Sequence, residues 1–131
     1  MNLEIERRTY TVLLVDDDNG ARRVVARRLM QEGHDVVEAI HGIAALRLLH
    51  STVVDLIVTD IIMPEMEGLE LLRILSKRPT RPKVIAISGG GRGSASDYLE
   101  MAKHFGADAT LRKTFTKVEL VDEINRVMAR D

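Results

Sequence analysis

Acidic side chains follow two separate apolar segments of the sequence. Asp16 and Asp17 come directly after the apolar segment 12–15, and Asp60 comes directly after the apolar segment 53–59. Carboxylates held close together repel one another and resist ionising together, and a divalent cation that prefers oxygen ligands relieves this repulsion. Mg²⁺ suits a site made of a few carboxylates, water and a substrate phosphate. The three aspartates are therefore candidate Mg²⁺ ligands.

Two further polar residues follow other apolar segments and extend this chemistry. Ser88 supplies a hydroxyl group after segment 84–87, and Lys113 supplies an ammonium group near the end of segment 109–112. Carboxylates, a cation, an ammonium group and a hydroxyl group are suited to phosphoryl transfer, where catalysis is mostly positioning and charge neutralisation. One of the carboxylates can act as the nucleophile and form an aspartyl phosphate.

The apolar pattern predicts how these residues are brought together. Short apolar segments alternate with segments in which apolar residues recur at helical spacing. The predicted strands are 12–15, 34–40, 53–59, 84–87 and 109–112, and the predicted helices are 19–32, 42–50, 69–77, 95–104 and 117–129. This alternation predicts an α/β fold, with a five-stranded parallel sheet and five helices on both faces. In open parallel sheets, chemistry lies at the carboxyl ends of the strands, where the candidate residues stand.

Length and composition exclude several classes of protein. The 131 residues fit one domain. Nineteen Lys and Arg against 20 Asp and Glu give a formal net charge of −1, which argues against direct nucleic-acid binding. The lack of cysteine excludes disulfides, thiolate zinc sites and a cysteine nucleophile. Without a membrane-length apolar run or a secretory signal, we expect no membrane insertion and a cytoplasmic location.

Taken together, the residues and their strand context resemble the receiver domain of two-component response regulators. The matching segments are VLLVDDD, LIVTDIIMPEMEG, VIAISGG and GADATLRKTF, and the resemblance covers residues 11–129. It implies a flavodoxin-like (βα)5 fold with strand order 2-1-3-4-5, in which residues 1–10 are an N-terminal extension and residues 11–131 the receiver domain. It also implies a phosphorelay switch that is phosphorylated by a histidine kinase or a histidine phosphotransfer protein, and that is not a turnover enzyme.

The resemblance assigns roles to the acidic residues. It implies that Asp60 accepts the phosphoryl group and that Asp17 is a direct Mg²⁺ ligand. Asp16 would bind the ion largely through water, and the backbone carbonyl of Ile62 would complete the protein ligands.

The resemblance also assigns roles around the acceptor. Ser88 would be the switch hydroxyl that moves to the phosphoryl oxygen, and Lys113 would pair with the phosphoryl group. Pro64 and Gly68 match the family's loop after the acceptor.

Three features depart from the family's pattern. Thr114 follows Lys113 where the family usually has proline, and we expect a trans bond because a cis bond before a non-proline residue costs ~2.5–4 kcal/mol. Thr110 stands where the family usually has an aromatic switch residue, and the glycine-rich loop 89–93 is longer than usual. All three lie on the output side, so we expect intact phosphorylation and an unusual readout.

The resemblance places the output surface on segments 95–104, 109–112 and 117–129. We expect this face to bind a downstream protein that the sequence does not identify, or to pair two copies of the chain as a homodimer. Two other functions stay open. One is a phosphohydrolase of the haloacid-dehalogenase-like kind, with Asp16 as nucleophile and Asp18 as acid/base. The other is a receiver-like binding module that works without phosphorylation.

The first predicted helix carries two further expectations. Asp18 is predicted to cap its N-terminus, because an aspartate there accepts hydrogen bonds from free backbone N–H groups. Its arginines are predicted to form a solvated face or else to dock an acidic partner; they are Arg22, Arg23, Arg27 and Arg28.

Overall fold

The computed structural model describes residues 8–61, 68–88, 95–113 and 115–129. Within these residues, five β-strands alternate with five α-helices. The strands are β1 (Thr11–Val15), β2 (Asp35–Ala39), β3 (Leu56–Asp60), β4 (Lys83–Ser88) and β5 (Ala109–Arg112). The helices are α1 (Asn19–Gln31), α2 (Gly42–Ser51), α3 (Gly68–Ser76), α4 (Ala95–His104) and α5 (Lys117–Met128).

The strands form one parallel sheet in the order β2-β1-β3-β4-β5. This confirms the predicted fold class and strand order. The order reverses beside β1, so the carboxyl ends of β1 and β3 lie next to each other at the point where open α/β sheets bind their ligands.

Different helices cover the two faces of the sheet. Alternate strand residues point to opposite faces. Leu13 and Ile57 pack with α2, α3 and α4, whereas Leu14 and Val58 pack with α1 and α5. All four side chains are buried, which explains why the strands read as continuous apolar runs in the sequence.

The prediction for α1 is partly wrong. Arg22, assigned to a solvated face, is buried, while the apolar residues Val24 and Met30 of the same helix are about half exposed. Arg22 can be buried because its guanidinium group has hydrogen-bond partners from three parts of the chain, which offset the cost of removing it from water. The predicted cap is confirmed: the Asp18 carboxylate accepts the backbone N–H of Ala21.

Most elements have a boundary that differs from the prediction by one residue, and the start of β3 differs by three. β3 begins at Leu56 rather than at residue 53, and the side chain of Val53 is 88% exposed. Val118, in the first turn of α5, is also exposed. None of the five helices in the described residues has both the length and the apolar character needed to cross a membrane.

Gly68 allows α3 to begin against the backbone of β3. Its N–H group donates to the carbonyl of Ile61 at 2.6 Å. A Cβ atom at this position would lie 2.2 Å from the carbonyl oxygen of Asp60 and 2.5 Å from the Cα atom of Ile61. No side chain fits there, so only glycine permits this packing.

His34 attaches the residues before β1 to the rest of the fold. Its Nδ1 atom accepts the backbone N–H of Tyr10 at 3.0 Å, and the two rings stack with centroids 5.6 Å apart. Burial lowers the pKa of His34 below its ordinary value, against a smaller opposing effect of the Glu32 carboxylate. The fold therefore favours the neutral imidazole, whose Nδ1 can accept this hydrogen bond.

We expect Gly68→Ala to lower the free energy of unfolding by at least about 2 kcal/mol, because α3 or the Asp60 backbone must shift to admit the methyl group. Gly20→Ala is the matched control: its Cβ would have 3.5 Å of clearance from Asp18, and removing a helical glycine stabilises by ~0.5 kcal/mol. Urea denaturation measures both. Equal stability of Gly68→Ala and wild type would contradict the packing argument.

The second prediction concerns pH. The pKa of His34 is depressed in the folded state, so the unfolded state binds the proton more readily. The contribution of His34 to stability is therefore fully present above the unfolded pKa of 6.5 and is lost as the pH falls through the folded pKa. The free energy of unfolding should therefore fall as the pH is lowered through 6.5. In His34→Asn, the amide oxygen can still accept the Tyr10 N–H but does not titrate, so the fall should be shallower. Parallel pH profiles of the two proteins would contradict this.

Candidate functional site

Three aspartates meet at the carboxyl edge of the sheet. Asp60 ends β3, and Asp16 and Asp17 follow β1, which the backbone N–H of Asp16 extends by donating to the carbonyl of Ala39. Asp16 and Asp60 are buried, whereas Asp17 is exposed. One carboxylate oxygen from each residue lies within 4.8 Å of the others. The structure therefore brings the three sequence-predicted acidic residues together, and this cluster could hold a metal ion.

Lys113 lies across two of these carboxylates. Its Nζ atom donates to Oδ2 of Asp60 at 3.1 Å and lies 3.2 Å from Oδ2 of Asp16. The backbone N–H of Lys113 donates to the carbonyl of Ser88, which fixes the end of β5 beside the end of β4. Burial alone would lower the pKa of Lys113, but the Asp60 and Asp16 carboxylates raise it above its ordinary value. The ammonium group is therefore charged and partly neutralises the cluster.

Ser88 presents a buried hydroxyl group at the same edge. It ends β4 and is 1% exposed, and its Oγ atom has no hydrogen-bond partner among the described residues. Buried hydroxyl groups are almost always hydrogen-bonded, so an unpaired one indicates a group that a ligand could satisfy. The neighbouring Thr59 differs, because its hydroxyl already donates to the carbonyl of Asp60.

Asp18 is occupied by the backbone. Its carboxylate caps α1, and its own N–H donates to Oδ1 of Asp16 at 2.9 Å. The side chain that the phosphohydrolase alternative needs as its acid/base therefore has a structural partner already. The same hydrogen bond holds the Asp16 carboxylate in place within the cluster.

Arg22 supports the site, although sequence analysis did not identify it as a site residue. It donates to the carbonyl oxygen of Asp16 at 2.8 Å and to Oε1 of Glu38 at 2.9 Å. The sequence contained a signal for this role, because Glu38 lies near the end of the predicted strand 34–40, which is next to β1 in the implied strand order. An arginine one turn into α1 can reach both the Glu38 carboxylate and the carbonyl at the end of β1.

Several predicted features lie outside the described residues and stay predictions. These are the Ile62 carbonyl, Pro64, the Lys113–Thr114 peptide bond and the glycine-rich loop 89–93. Thr110 lies within the described residues: it is half-buried in β5, where it pairs with Ala86.

A cleft of about 310 Å³ opens next to the cluster. Val24 and Arg28 of α1 line one side, Phe115 lines another, and Asp16 and Lys113 line the part nearest the aspartates. The cleft therefore borders the acidic cluster at Asp16.

Comparison with known proteins is consistent with the geometry. The family model for the response regulator receiver domain matches residues 12–125. The transcriptional regulatory protein CpxR of Escherichia coli K12 is 34% identical over 119 residues, covering 91% of this chain and 49% of CpxR. The sensor kinase CckA of Brucella abortus is 34% identical over 122 residues, covering 92% of this chain and 13% of CckA. The chain spans about half the length of the regulators that it matches.

Solved structures agree in fold. The receiver domain of the Francisella response regulator 1452 has a TM-score of 0.82 at 30% identity, covering 92% of this chain and 98% of that one. The chemotaxis response regulator CheY4 of Vibrio cholerae has a TM-score of 0.80 at 26% identity, covering 92% and 99%. Receiver domains are regulatory and receive phosphoryl groups from histidine kinases. Since the family model covers most of the sequence and the fold agrees, the chain belongs to the response regulator receiver domain family.

Proposed function

We propose that this domain is a phosphorylation-controlled signalling switch whose phosphoryl acceptor is Asp60. The observation that carries the proposal is the position of this carboxylate: it is buried at the sheet edge, within 4.8 Å of oxygens from Asp16 and Asp17, and bonded to the Lys113 ammonium group. The donor would be a phosphohistidine of a histidine kinase or of a histidine phosphotransfer protein.

The acidic cluster suits Mg²⁺. All its candidate donor atoms are carboxylate oxygens, which Mg²⁺ prefers, and the exposure of Asp17 leaves room for the water ligands that Mg²⁺ keeps. Asp16, Asp17 and Asp60 would hold the ion, with the predicted carbonyl of Ile62 as a further ligand. When bound, the ion would neutralise charge on the carboxylates and on the phosphoryl oxygens.

The chain's own residues define the transfer. An oxygen of Asp60 attacks phosphorus and forms an O–P bond, while the P–N bond to the donor imidazole breaks and its electron pair stays on that nitrogen, which then takes a proton. Lys113 holds Asp60 before transfer and pairs with a phosphoryl oxygen afterwards. The unpaired Ser88 hydroxyl then donates to another phosphoryl oxygen.

The same contacts would produce the readout. A phosphoryl group carries roughly −1.5 to −2 of charge in phosphorylated side chains, and here it would draw Ser88 and Lys113 toward Asp60. Shifting a two-state equilibrium from 1:99 to 99:1 needs about 5.5 kcal/mol of differential stabilisation. Because Thr110 offers no aromatic ring, we propose that this stabilisation comes mainly from Ser88 and Lys113.

We place the output surface on α4, β5 and α5. Met101 on α4 and Val118 on α5 are exposed apolar side chains on two of these elements. A downstream protein or a second copy of the chain would bind there. The binding-module alternative differs in one respect: its affinity for a partner would be the same with and without beryllofluoride, which mimics the phosphoryl group.

The phosphohydrolase alternative has less support. It needs Asp18 as acid/base, but the Asp18 carboxylate caps α1. Its nucleophile would be Asp16, whose two oxygens are engaged by the Asp18 N–H and by Lys113.

We expect acetyl phosphate with Mg²⁺ to add one phosphoryl group per wild-type chain, and to add none to Asp60→Asn, because the amide lacks the nucleophilic oxygen. Intact-protein mass spectrometry measures the product. Asp55→Asn is the matched control: Asp55 also belongs to the β3 region, but its carboxylate accepts the Thr11 N–H at the opposite end of the strand. It should be labelled like wild type. Undiminished labelling of Asp60→Asn would contradict the acceptor assignment, and repeated turnover of phosphate esters by that variant would favour the phosphohydrolase.

Lys113→Met should slow phosphorylation by acetyl phosphate by about 100-fold at saturating Mg²⁺, because one charged donor to the transferring group is lost. Lys103→Met removes an exposed lysine from the last turn of α4 and should leave the rate unchanged. Rates come from mass spectra of samples quenched over time. An unchanged rate in Lys113→Met, with its fold verified by circular dichroism, would contradict the proposed role.

A further inference from the structure

We propose that Arg22 is a positioning residue for the metal site: it fixes the peptide that joins Asp16 to Asp17, and so restrains the backbone that carries both carboxylates. The inference rests on the Mg²⁺ site proposed above and extends it to a residue that contacts no ligand. It concerns binding of the ion, not the transfer of the phosphoryl group.

The Arg22 side chain holds three parts of the chain with three different nitrogen atoms. Nη1 donates to the carbonyl oxygen of Asp16 at 2.8 Å, Nε donates to Oε1 of Glu38 at 2.9 Å, and Nη2 donates to Oδ1 of Asn19 at 2.9 Å. The side chain is 9% exposed. One guanidinium group thus joins the end of β1, the start of α1 and β2 behind the acidic cluster.

This arrangement acts on Asp17 through the backbone. The carbonyl of Asp16 belongs to the peptide plane that ends at the Cα atom of Asp17, so the bond from Arg22 restrains where the backbone of Asp17 lies. The Asp17 carboxylate is exposed and has no hydrogen-bond partner among the described residues. Its backbone therefore supplies most of its positioning. Asp16 is held on both sides, by Arg22 at its carbonyl and by the Asp18 N–H at its carboxylate.

The chemistry requires arginine in particular. A guanidinium group is planar and presents N–H bonds in fixed directions, whereas a lysine ammonium group is a point charge on a flexible stem. Glu38 forms a salt bridge with Arg22 and balances its charge, so the arginine need not repel the bound cation. Its contribution is then geometric, as for other outer-shell groups that orient metal ligands.

Arg23 provides a matched control. It lies next to Arg22 on the same helix and approaches the same glutamate, with Nη1 3.6 Å from Oε2 of Glu38. However, its side chain is 71% exposed, and no contact links it to Asp16. Replacing it removes the same charge near the site without removing the bond to the Asp16 carbonyl.

The test is the Mg²⁺ dissociation constant of the unphosphorylated protein, measured by ¹⁵N NMR titration of the amides of residues 16–18 and by calorimetry. Arg22→Gln and Arg22→Lys should bind Mg²⁺ about 10–100-fold more weakly than wild type, the usual cost of losing an outer-shell partner. Arg22→Lys should not restore Mg²⁺ binding, because lysine keeps the positive charge but lacks the planar guanidinium group that donates in several fixed directions. Arg23→Gln and Arg23→Lys should bind like wild type.

The outcomes separate this inference from the proposed function. If wild type does not bind Mg²⁺, both are overturned. If wild type binds Mg²⁺ and folded Arg22 variants bind it equally well, only the positioning role is overturned, since a merely structural arginine would change the unfolding midpoint but not the dissociation constant. If both Arg22 variants unfold, Asn19→Ala provides the test, because it removes one of the three hydrogen bonds of Arg22 by changing an exposed residue. This variant should bind Mg²⁺ more weakly than wild type. An unchanged Mg²⁺ dissociation constant would overturn the inference.

Discussion

Repulsion between carboxylates is the constraint on which the site depends. Two like unit charges about 4 Å apart cost about 4 kcal/mol in surroundings of intermediate polarity, and this domain gathers three carboxylates at one edge of a sheet. The Lys113 ammonium group offsets part of this cost by contacting both buried members, Asp16 and Asp60. A divalent cation bound at this cluster would offset the remaining repulsion.

The fold holds these charges in place by rigid means. The strand order puts the ends of β1 and β3 side by side, and the helices on both faces bury the strands that carry the aspartates. Hydrogen bonds between side chains and backbone then refine the arrangement. The Thr59 hydroxyl donates to the carbonyl of Asp60, the Arg22 guanidinium group donates to the carbonyl of Asp16, and the Asp18 N–H donates to the Asp16 carboxylate. Asp17 is the exception, since it is exposed and oriented mainly by its backbone. That difference suits a site in which one ligand faces solvent and two face the protein.

Much of this could be predicted from the sequence because its strongest signals are local. Continuous apolar runs indicate strands buried on both faces, so the element order was predictable. Polar residues at the ends of those runs indicate the functional edge of the sheet, so the acidic cluster was predictable. Arg22 was missed because no pattern within α1 marks a buried arginine: its partner Glu38 comes from a different strand, so only the predicted pairing of β1 with β2 could have indicated the contact. The exposure of Val24 and Met30 likewise depends on how far α1 is covered by its neighbours, which periodicity within the helix does not contain.

The contact at Gly68 has a mechanical consequence. Most helices rest on a sheet through side chains, which can change rotamer and absorb small movements. Here the first residue of α3 meets the main chain of Asp60 and Ile61 directly, at a separation that admits no methyl group. With nothing compressible between the two backbones, a displacement of the main chain at Asp60 and a displacement of the start of α3 are one movement rather than two.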